Sequence, residues 1–93
     1  LEDRDRAALL DVRETDEYAK GHVLNARNIP LGQLKSRAAE LAKYKEKPLI
    51  VCCATGQRSG GAIAILKQVG FTRLYNLQGG FGAWKQAGLP TEK

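Results

Sequence analysis

The sequence predicts an α/β domain with a small central, mostly parallel sheet flanked by helices. Three observations carry that prediction. Apolar runs of strand length alternate with segments of helical period along the chain, the order that parallel strands joined by helical crossovers produce. One run, Pro48-Leu49-Ile50-Val51-Cys52, is continuously apolar, the pattern of a central strand covered on both faces. The 93 residues, 43% hydrophobic and 27% charged, suit one soluble globular domain spanning residues 1–93. A chain of this size buries only about two-thirds of its unfolded surface, so chemistry is expected in a surface loop and not in an interior cavity.

Each element has its own justification. Leu9-Leu10-Asp11-Val12-Arg13 reads as a buried strand with a polar exit. Thr15 is placed to cap a short helix whose first turn holds Asp16 and Glu17, acids that complement the helix dipole, and Gly21 offers a left-handed stop. Val23 to Ala26 and then Asn28-Ile29-Pro30 form a short strand and a loop, with Pro30 leading into the next helix. Leu34, Ala38 and Leu41 recur at helical spacing between Lys35, Arg37, Glu40 and Lys43, which predicts an amphipathic helix from Leu31 to near Lys45. After the central strand, Ala62, Ile65, Leu66 and Val69 fall at i, i+3, i+4 and i+7. They mark a helix that starts near Arg58 or Ser59 and stops at Gly70. Arg73-Leu74-Tyr75-Asn76-Leu77 is a further strand, Gly79-Gly80 a turn, and Phe81 with Trp84 one face of a closing helix.

Charge and cysteine usage exclude several function classes. Fifteen Lys and Arg against ten Asp and Glu give +5, which favours anionic ligands. The basic residues are scattered among Glu14, Asp16, Glu17, Glu40 and Glu46, and there is no aromatic run to stack bases, so nucleic acid is not an expected partner. No stretch approaches the roughly 18 to 20 apolar residues of a membrane span. The two cysteines, Cys52 and Cys53, are adjacent. Neighbours on an extended strand point to opposite faces, so a mutual disulfide is not expected. With His22 thirty positions upstream of Cys52 they match no metal-ligand spacing.

In parallel α/β sheets ligands bind outside the carboxyl ends of the strands. That rule points to Cys53-Ala54-Thr55-Gly56-Gln57-Arg58-Ser59, the exit of the central strand. A loop between strand and helix can turn consecutive N–H groups inward, making a nest that favours an anion. A thiolate is such an anion, and a helix N-terminus with a neighbouring arginine lowers a cysteine pKa from its usual value of about 8.5. Cys53 is therefore the candidate nucleophile. Ala54, Thr55, Gly56, Gln57, Arg58 and Ser59 are the candidate substrate-binding residues. Gly56 permits the sharp turn, Arg58 supplies charge and planar donors, and Thr55 and Ser59 supply hydroxyls.

Several motifs together make the chain resemble a rhodanese-like domain of the single-domain sulfurtransferase type. Leu9-Leu10-Asp11-Val12-Arg13, Glu17-Tyr18-Ala19-Lys20-Gly21-His22-Val23 and Ala26-Arg27-Asn28-Ile29-Pro30 resemble the N-terminal signature of that family. The segment from Cys53 to Ser59 is similar to its active loop, and Gly79-Gly80-Phe81-Gly82-Ala83-Trp84 with Ala87-Gly88-Leu89-Pro90 to its C-terminal signature. The resemblance implies a small α/β domain with a central parallel sheet. It also implies transfer of a sulfane sulfur from a small sulfur-containing anion such as thiosulfate, through a persulfide on Cys53, to cyanide, a thiol or a protein sulfur acceptor. Neither metal nor organic cofactor is implied. Family members usually carry a further strand and helix before the Asp11-Val12-Arg13 strand, of which only the tail, around Leu1 to Arg6, is expected here. A cytoplasmic location is expected, with membrane anchoring through a preceding segment left open.

Two other readings stand beside this one. Arg58 follows Cys53 after four intervening residues, the sulfurtransferase spacing, but follows Cys52 after five, the spacing of cysteine phosphatases and arsenate reductase-like enzymes of similar fold. Val51 stands where the phosphatase pattern has His, and Gly56 falls at the loop glycine only when the count starts at Cys53, which favours the first register. Cys52 is then a structural thiol at the strand end. The second reading is a non-catalytic binding module, since fold alone does not decide function. Asp11 with Arg13, at a strand's carboxyl end, reads as a buried or half-buried ion pair supporting the loop in preference to a substrate contact, His22 as a structural residue at a helix end, and Phe81 and Trp84 as core. Tyr18, Tyr44 and Tyr75 carry no functional signal.

Overall fold

The computed structural model describes residues 8–54 and 57–93. The expected tail of a preceding helix around Leu1 to Arg6, and the loop residues Thr55 and Gly56, lie outside them. Along the chain come β1 (Ala8–Asp11), α1 (Thr15–Ala19), β2 (His22–Val23), β3 (Arg27–Asn28) and α2 (Leu31–Arg37). A 3-10 helix (Ala38–Tyr44), β4 (Leu49–Cys52), α3 (Gln57–Gln68), β5 (Leu74–Asn76), α4 (Gly80–Gln86) and β6 (Thr91–Glu92) follow. The fold is α/β, as the alternation of strand and helix signals requires.

The apolar run from Leu49 takes the middle of the sheet. Four strands lie in the order β3-β1-β4-β5, and every pairing among them is parallel. Leu10 opposes Val51 and Asp11 opposes Cys52, so the polar exit of β1 and the thiol pair leave the sheet at the same edge.

Side chains alternate across the sheet, which divides the core in two. Leu10, Val12, Leu49, Val51 and Cys53 face one side, where Ile29, Leu34, Leu41, Ala62, Leu66 and Phe71 close over them. Cys52 faces the other side with Val23 and Ala26, and Leu9, Tyr18, Leu77, Phe81 and Trp84 pack against that smaller cluster. Burying a Leu or Val completely contributes about 1.5 to 3 kcal/mol before chain entropy is subtracted, so the first cluster dominates stability.

Four local details differ from the sequence expectation. The strand expected over Val23 to Ala26 stops at Val23, the chain turns at Leu24-Asn25 with Asn25 at φ +68°, and a separate strand follows at Arg27–Asn28. The helix from Leu31 does not run on to Lys45 in one form; it tightens to 3-10 at Ala38. Ala38, Leu41 and Tyr44 are three residues apart, and three residues per turn stacks them along the core, where Ala38 and Leu41 are buried and Tyr44 is half-buried. Thr15 is the first residue of α1 and not its cap. Glu14 holds the cap position, and its backbone N–H donates to Glu17 Oε1 at 3.0 Å. Finally, β6 pairs antiparallel with β2, opposing Glu92 to His22 and Thr91 to Val23. Two exposed polar residues carry no strand period, so the sequence pattern could not show this element. Gly70, with φ +103°, ends α3 in the left-handed region as expected of a helix stop. Among the described residues no helix is long and apolar enough to cross a membrane.

Candidate functional site

Cys53 is the first residue beyond β4 and is only 1% exposed. Its thiol donates to Ser59 Oγ at 3.7 Å, and Ser59 Oγ donates to Asn76 Oδ1 at 2.5 Å. Ser59 is buried in the first turn of α3, and Asn76 is the last residue of β5. The exit of the central strand, the start of its crossover helix and the exit of the neighbouring strand thus converge on one sulfur. Since the hydroxyl proton goes to Asn76, the oxygen presents a lone pair to the thiol.

The base of the loop is clamped by α4. Phe81 N–H donates to the Cys53 carbonyl at 2.7 Å, and Gly82 N–H donates to the Ala54 carbonyl at 3.1 Å. This close approach requires glycine before them. Gly80 has φ +62°, and a Cβ there would lie 2.3 Å from the Cys53 carbonyl oxygen and 2.7 Å from the Ala54 carbonyl. Gly80→Ala is therefore expected to destabilise the domain by about 2 to 5 kcal/mol, from left-handed strain plus displacement of the loop base. Gly88 shares the positive φ, at +74°, with nothing within 4 Å of an added Cβ. Gly88→Ala should cost only about 1 to 2 kcal/mol. Urea denaturation of both variants checks this, and equal costs would contradict the clamp.

Cys52 lies on the opposite face, 0% exposed, with its thiol 3.5 Å from the Cys53 carbonyl oxygen. Burial pushes its pKa up to about 12, and the negative charge of Asp11 adds to the effect. It stays a neutral thiol near pH 7, facing Val23 and Ala26 and not α3. The phosphatase register, which needs Cys52 as nucleophile, finds no support in that orientation.

Arg58, in the first turn of α3, is held by a residue that the sequence reading did not tie to the loop. Its Nη1 and Nη2 donate to Glu17 Oε1 and Oε2 at 2.8 and 3.1 Å. The Arg58 guanidinium, with help from the Glu14 N–H, holds the Glu17 carboxyl down at about 2. The same pairing raises the pKa of Arg58 further. Because the folded pKa of Glu17 is depressed, the pair's stabilisation is present above the unfolded value near 4.5 and is lost as pH falls toward 2. Both side chains are more than one-third exposed, so the contribution is about 1 kcal/mol or less. Of the remaining loop residues, Ala54 is half-buried and Gln57 exposed.

Beneath the loop, Asp11 and Arg13 form the buried ion pair expected of them. Arg13 Nε donates to both Asp11 oxygens at 3.1 Å, Nη2 donates to Oδ2 at 2.8 Å, and the Arg13 backbone N–H donates to Oδ1 at 2.9 Å. Nη2 also donates to the Gly21 carbonyl at 2.7 Å, and the guanidinium carbon lies 4.4 Å from the centre of the Phe81 ring. Phe81 is the residue whose N–H holds the Cys53 carbonyl, so the pair supports the clamp. His22 is structural, 4% exposed: its ring stacks on Tyr18 at 3.6 Å, Nδ1 lies 2.8 Å from the Tyr18 carbonyl oxygen and Nε2 lies 3.3 Å from Glu92. Sequence reasoning missed Glu17, Asn76 and Gly80 as parts of the site. Asn76 had one legible signal, its place at a strand's carboxyl end.

Comparison with known proteins identifies the family to which this fold belongs. A family profile described as the rhodanese-like domain matches residues 1–87. The chain is 48% identical over 79 residues to the uncharacterized protein YqhL of Bacillus subtilis (strain 168), covering 85% of this chain and 61% of that protein. It is 36% identical over 90 residues to a protein of Allochromatium vinosum named sulfurtransferase, covering 97% and 82%. Among solved structures, the Rhodanese_3 like domain of the Anabaena sp. Alr3790 protein matches with a TM-score of 0.86 and 33% identity, over 95% of this chain and 100% of that one. The chain spans 61% and 51% of the length of two of the curated relatives it matches. On its fold, the matching family profile and these relatives, the chain belongs to the rhodanese-like domain family.

Proposed function

We propose that this domain transfers a sulfane sulfur from a donor such as thiosulfate to a thiophilic acceptor, cyanide or a thiol, through a persulfide on Cys53. The observation that carries the reading is the position of the Cys53 sulfur, at the exit of the central strand and beside the first turn of α3. The N-terminal end of that helix favours negative charge, so it favours both the thiolate and the persulfide anion. Ser59 reinforces this when its hydroxyl proton turns from Asn76 to the ionised sulfur. In the first step the Cys53 thiolate attacks the outer sulfur of thiosulfate, the S–S bond breaks, and sulfite leaves with the bonding electrons. In the second, the acceptor attacks the terminal sulfur of the persulfide and Cys53 is released as thiolate. Each step exchanges one bond to sulfur for another, which calls for no metal or organic cofactor.

Ala54, Thr55, Gly56, Gln57, Arg58 and Ser59 form the substrate-binding loop in this reading. The 1% exposure of Cys53 limits access to a small terminal group and shields the persulfide from water. A protein thiol is an acceptor of the same chemistry. The name of the Allochromatium relative supports the assignment. The test compares thiocyanate formation from thiosulfate and cyanide with hydrolysis of an aryl phosphate at equal protein concentration. Thiocyanate without phosphate release is expected. Phosphate release that Cys52→Ser abolishes would replace the reading with the phosphatase register, and no reaction with either substrate would favour a binding module.

A further inference from the structure

The guanidinium that the loop would present to an anion is already engaged. Glu17 accepts from Arg58 Nη1 and Nη2 at 2.8 and 3.1 Å, and the same carboxylate accepts the Glu14 N–H at 3.0 Å, so the pair is built into the first turn of α1. The charges around it cancel. Asp11 neutralises Arg13 below the loop, and the negative charge of Glu14 adds weakly to that of Glu17 in its effect on Arg58. Much of the excess positive charge lies at the other end of the sheet. Lys45 and Lys47 precede β4, Arg73 precedes β5 and Lys67 sits in the last turn of α3, all at the amino ends of the strands, away from the loop at their carboxyl ends. These four basic residues therefore do not add to the positive charge at the loop.

We propose that Glu17 is a positioning residue that sets donor choice: by holding Arg58 it withholds the guanidinium from small dianions and leaves the loop selective for sulfane sulfur carried on an organic thiol of low net charge. The inference rests on the sulfur-transfer reading above. A dianion such as thiosulfate meets in Arg58 a guanidinium whose charge Glu17 already neutralises and whose end-on face is occupied, so the full bidentate contact requires breaking the Glu17 pair. A hydropersulfide needs no such exchange: the Cys53 thiolate attacks its outer sulfur, the S–S bond breaks, and the organic thiolate leaves with the electron pair and takes up the proton of the S–H group. Glu17 remains ionised throughout the neutral range, since Arg58 and the Glu14 N–H hold its carboxyl down at about 2, so the pair that holds Arg58 is intact there.

The experiment measures the donor concentration giving half the maximal rate of Cys53 persulfide formation, followed by intact-protein mass. Thiosulfate and cysteine persulfide are the donors, and the proteins are wild type, Glu17→Gln, Arg58→Ala and the double variant. Gln keeps the size of Glu and an oxygen for the Glu14 N–H. Glu17→Gln is expected to lower the half-saturating thiosulfate concentration about fivefold, the release of one half-exposed pair, while the value for cysteine persulfide changes less than about twofold. In the Arg58→Ala background the same substitution should shift neither value. Glu17→Ala, which removes the carboxylate outright, should move donor preference in the same direction and serves if the Gln variant folds poorly. An unchanged or raised thiosulfate value, an equal shift for both donors, or a shift that persists without Arg58 overturns the inference while leaving sulfur transfer intact. Failure of both donors to load wild-type Cys53 overturns the sulfur-transfer reading itself.

Discussion

Replacing Cys53 with serine is expected to lower sulfur transfer by about a thousandfold or more, because a serine hydroxyl in that place has neither the ionisation nor the sulfur nucleophilicity that the covalent step requires. Cys52→Ser should leave the rate within about threefold. Its sulfur faces Val23 and Ala26 across the sheet, and burial keeps it protonated, so no step uses it. The effect of that second substitution belongs to stability. A hydroxyl placed among apolar side chains, with the Cys53 carbonyl as its nearest acceptor, should cost about 1 to 2 kcal/mol. Thiocyanate formation and urea midpoints of the two variants separate the roles. Inverted results, with activity lost at Cys52 and retained at Cys53, would move the nucleophile by one residue.

The largest stability effect is expected at Asp11. It is 0% exposed, and it accepts from Arg13 through the backbone N–H and the guanidinium. Asp11→Ala leaves a guanidinium that is 5% exposed with the Gly21 carbonyl and the Phe81 ring as its remaining partners. Removing one member of such a pair should cost about 3 to 5 kcal/mol, a large share of the roughly 5 to 15 kcal/mol that stabilises a domain. Glu17→Ala removes a pair of similar geometry in a half-exposed place and should cost about 1 kcal/mol or less. Chemical denaturation of the two variants tests the contrast. Asp11→Ala with Arg13→Met should recover much of the loss, since the stranded charge goes with it. An Asp11→Ala cost no larger than that of Glu17→Ala would contradict the buried-pair account.

What could be read in the sequence depended on whether a residue's partner was local or periodic. The continuous run from Leu49 identified the central strand, and the spacing of Ala62, Ile65, Leu66 and Val69 identified α3, because burial on a regular element leaves a period. The place of Cys53 and Ser59 followed from one topological rule, that strand exits gather at one edge of a parallel sheet. The opposite orientation of Cys52 followed from the two-residue period of a strand. Tightening of the second helix at Ala38 left only a faint sign, because spacings of three and four residues coexist in that segment. Contacts between single polar residues far apart in the chain had no periodic sign, and only Asn76 had a topological one, its place at a strand's carboxyl end. Glu17 reaches Arg58 across 41 positions and Ser59 reaches Asn76 across 17, and neither pair has a periodic neighbour to announce it. Gly80 belongs with these, since the need for glycine there comes from the Cys53 and Ala54 carbonyls pressed against it.

Mass spectrometry identifies directly which of the two cysteines takes up the transferred sulfur, Cys53 being the expected carrier. The protein is incubated with thiosulfate or cysteine persulfide, alkylated, digested and fragmented so that cleavage between Cys52 and Cys53 separates the adjacent cysteines. The account predicts a gain of about 32 Da, one sulfur atom, on the C-terminal side of that bond, absent in Cys53→Ser and retained in Cys52→Ser. A gain on Cys52, or none on either cysteine with both donors, would contradict it.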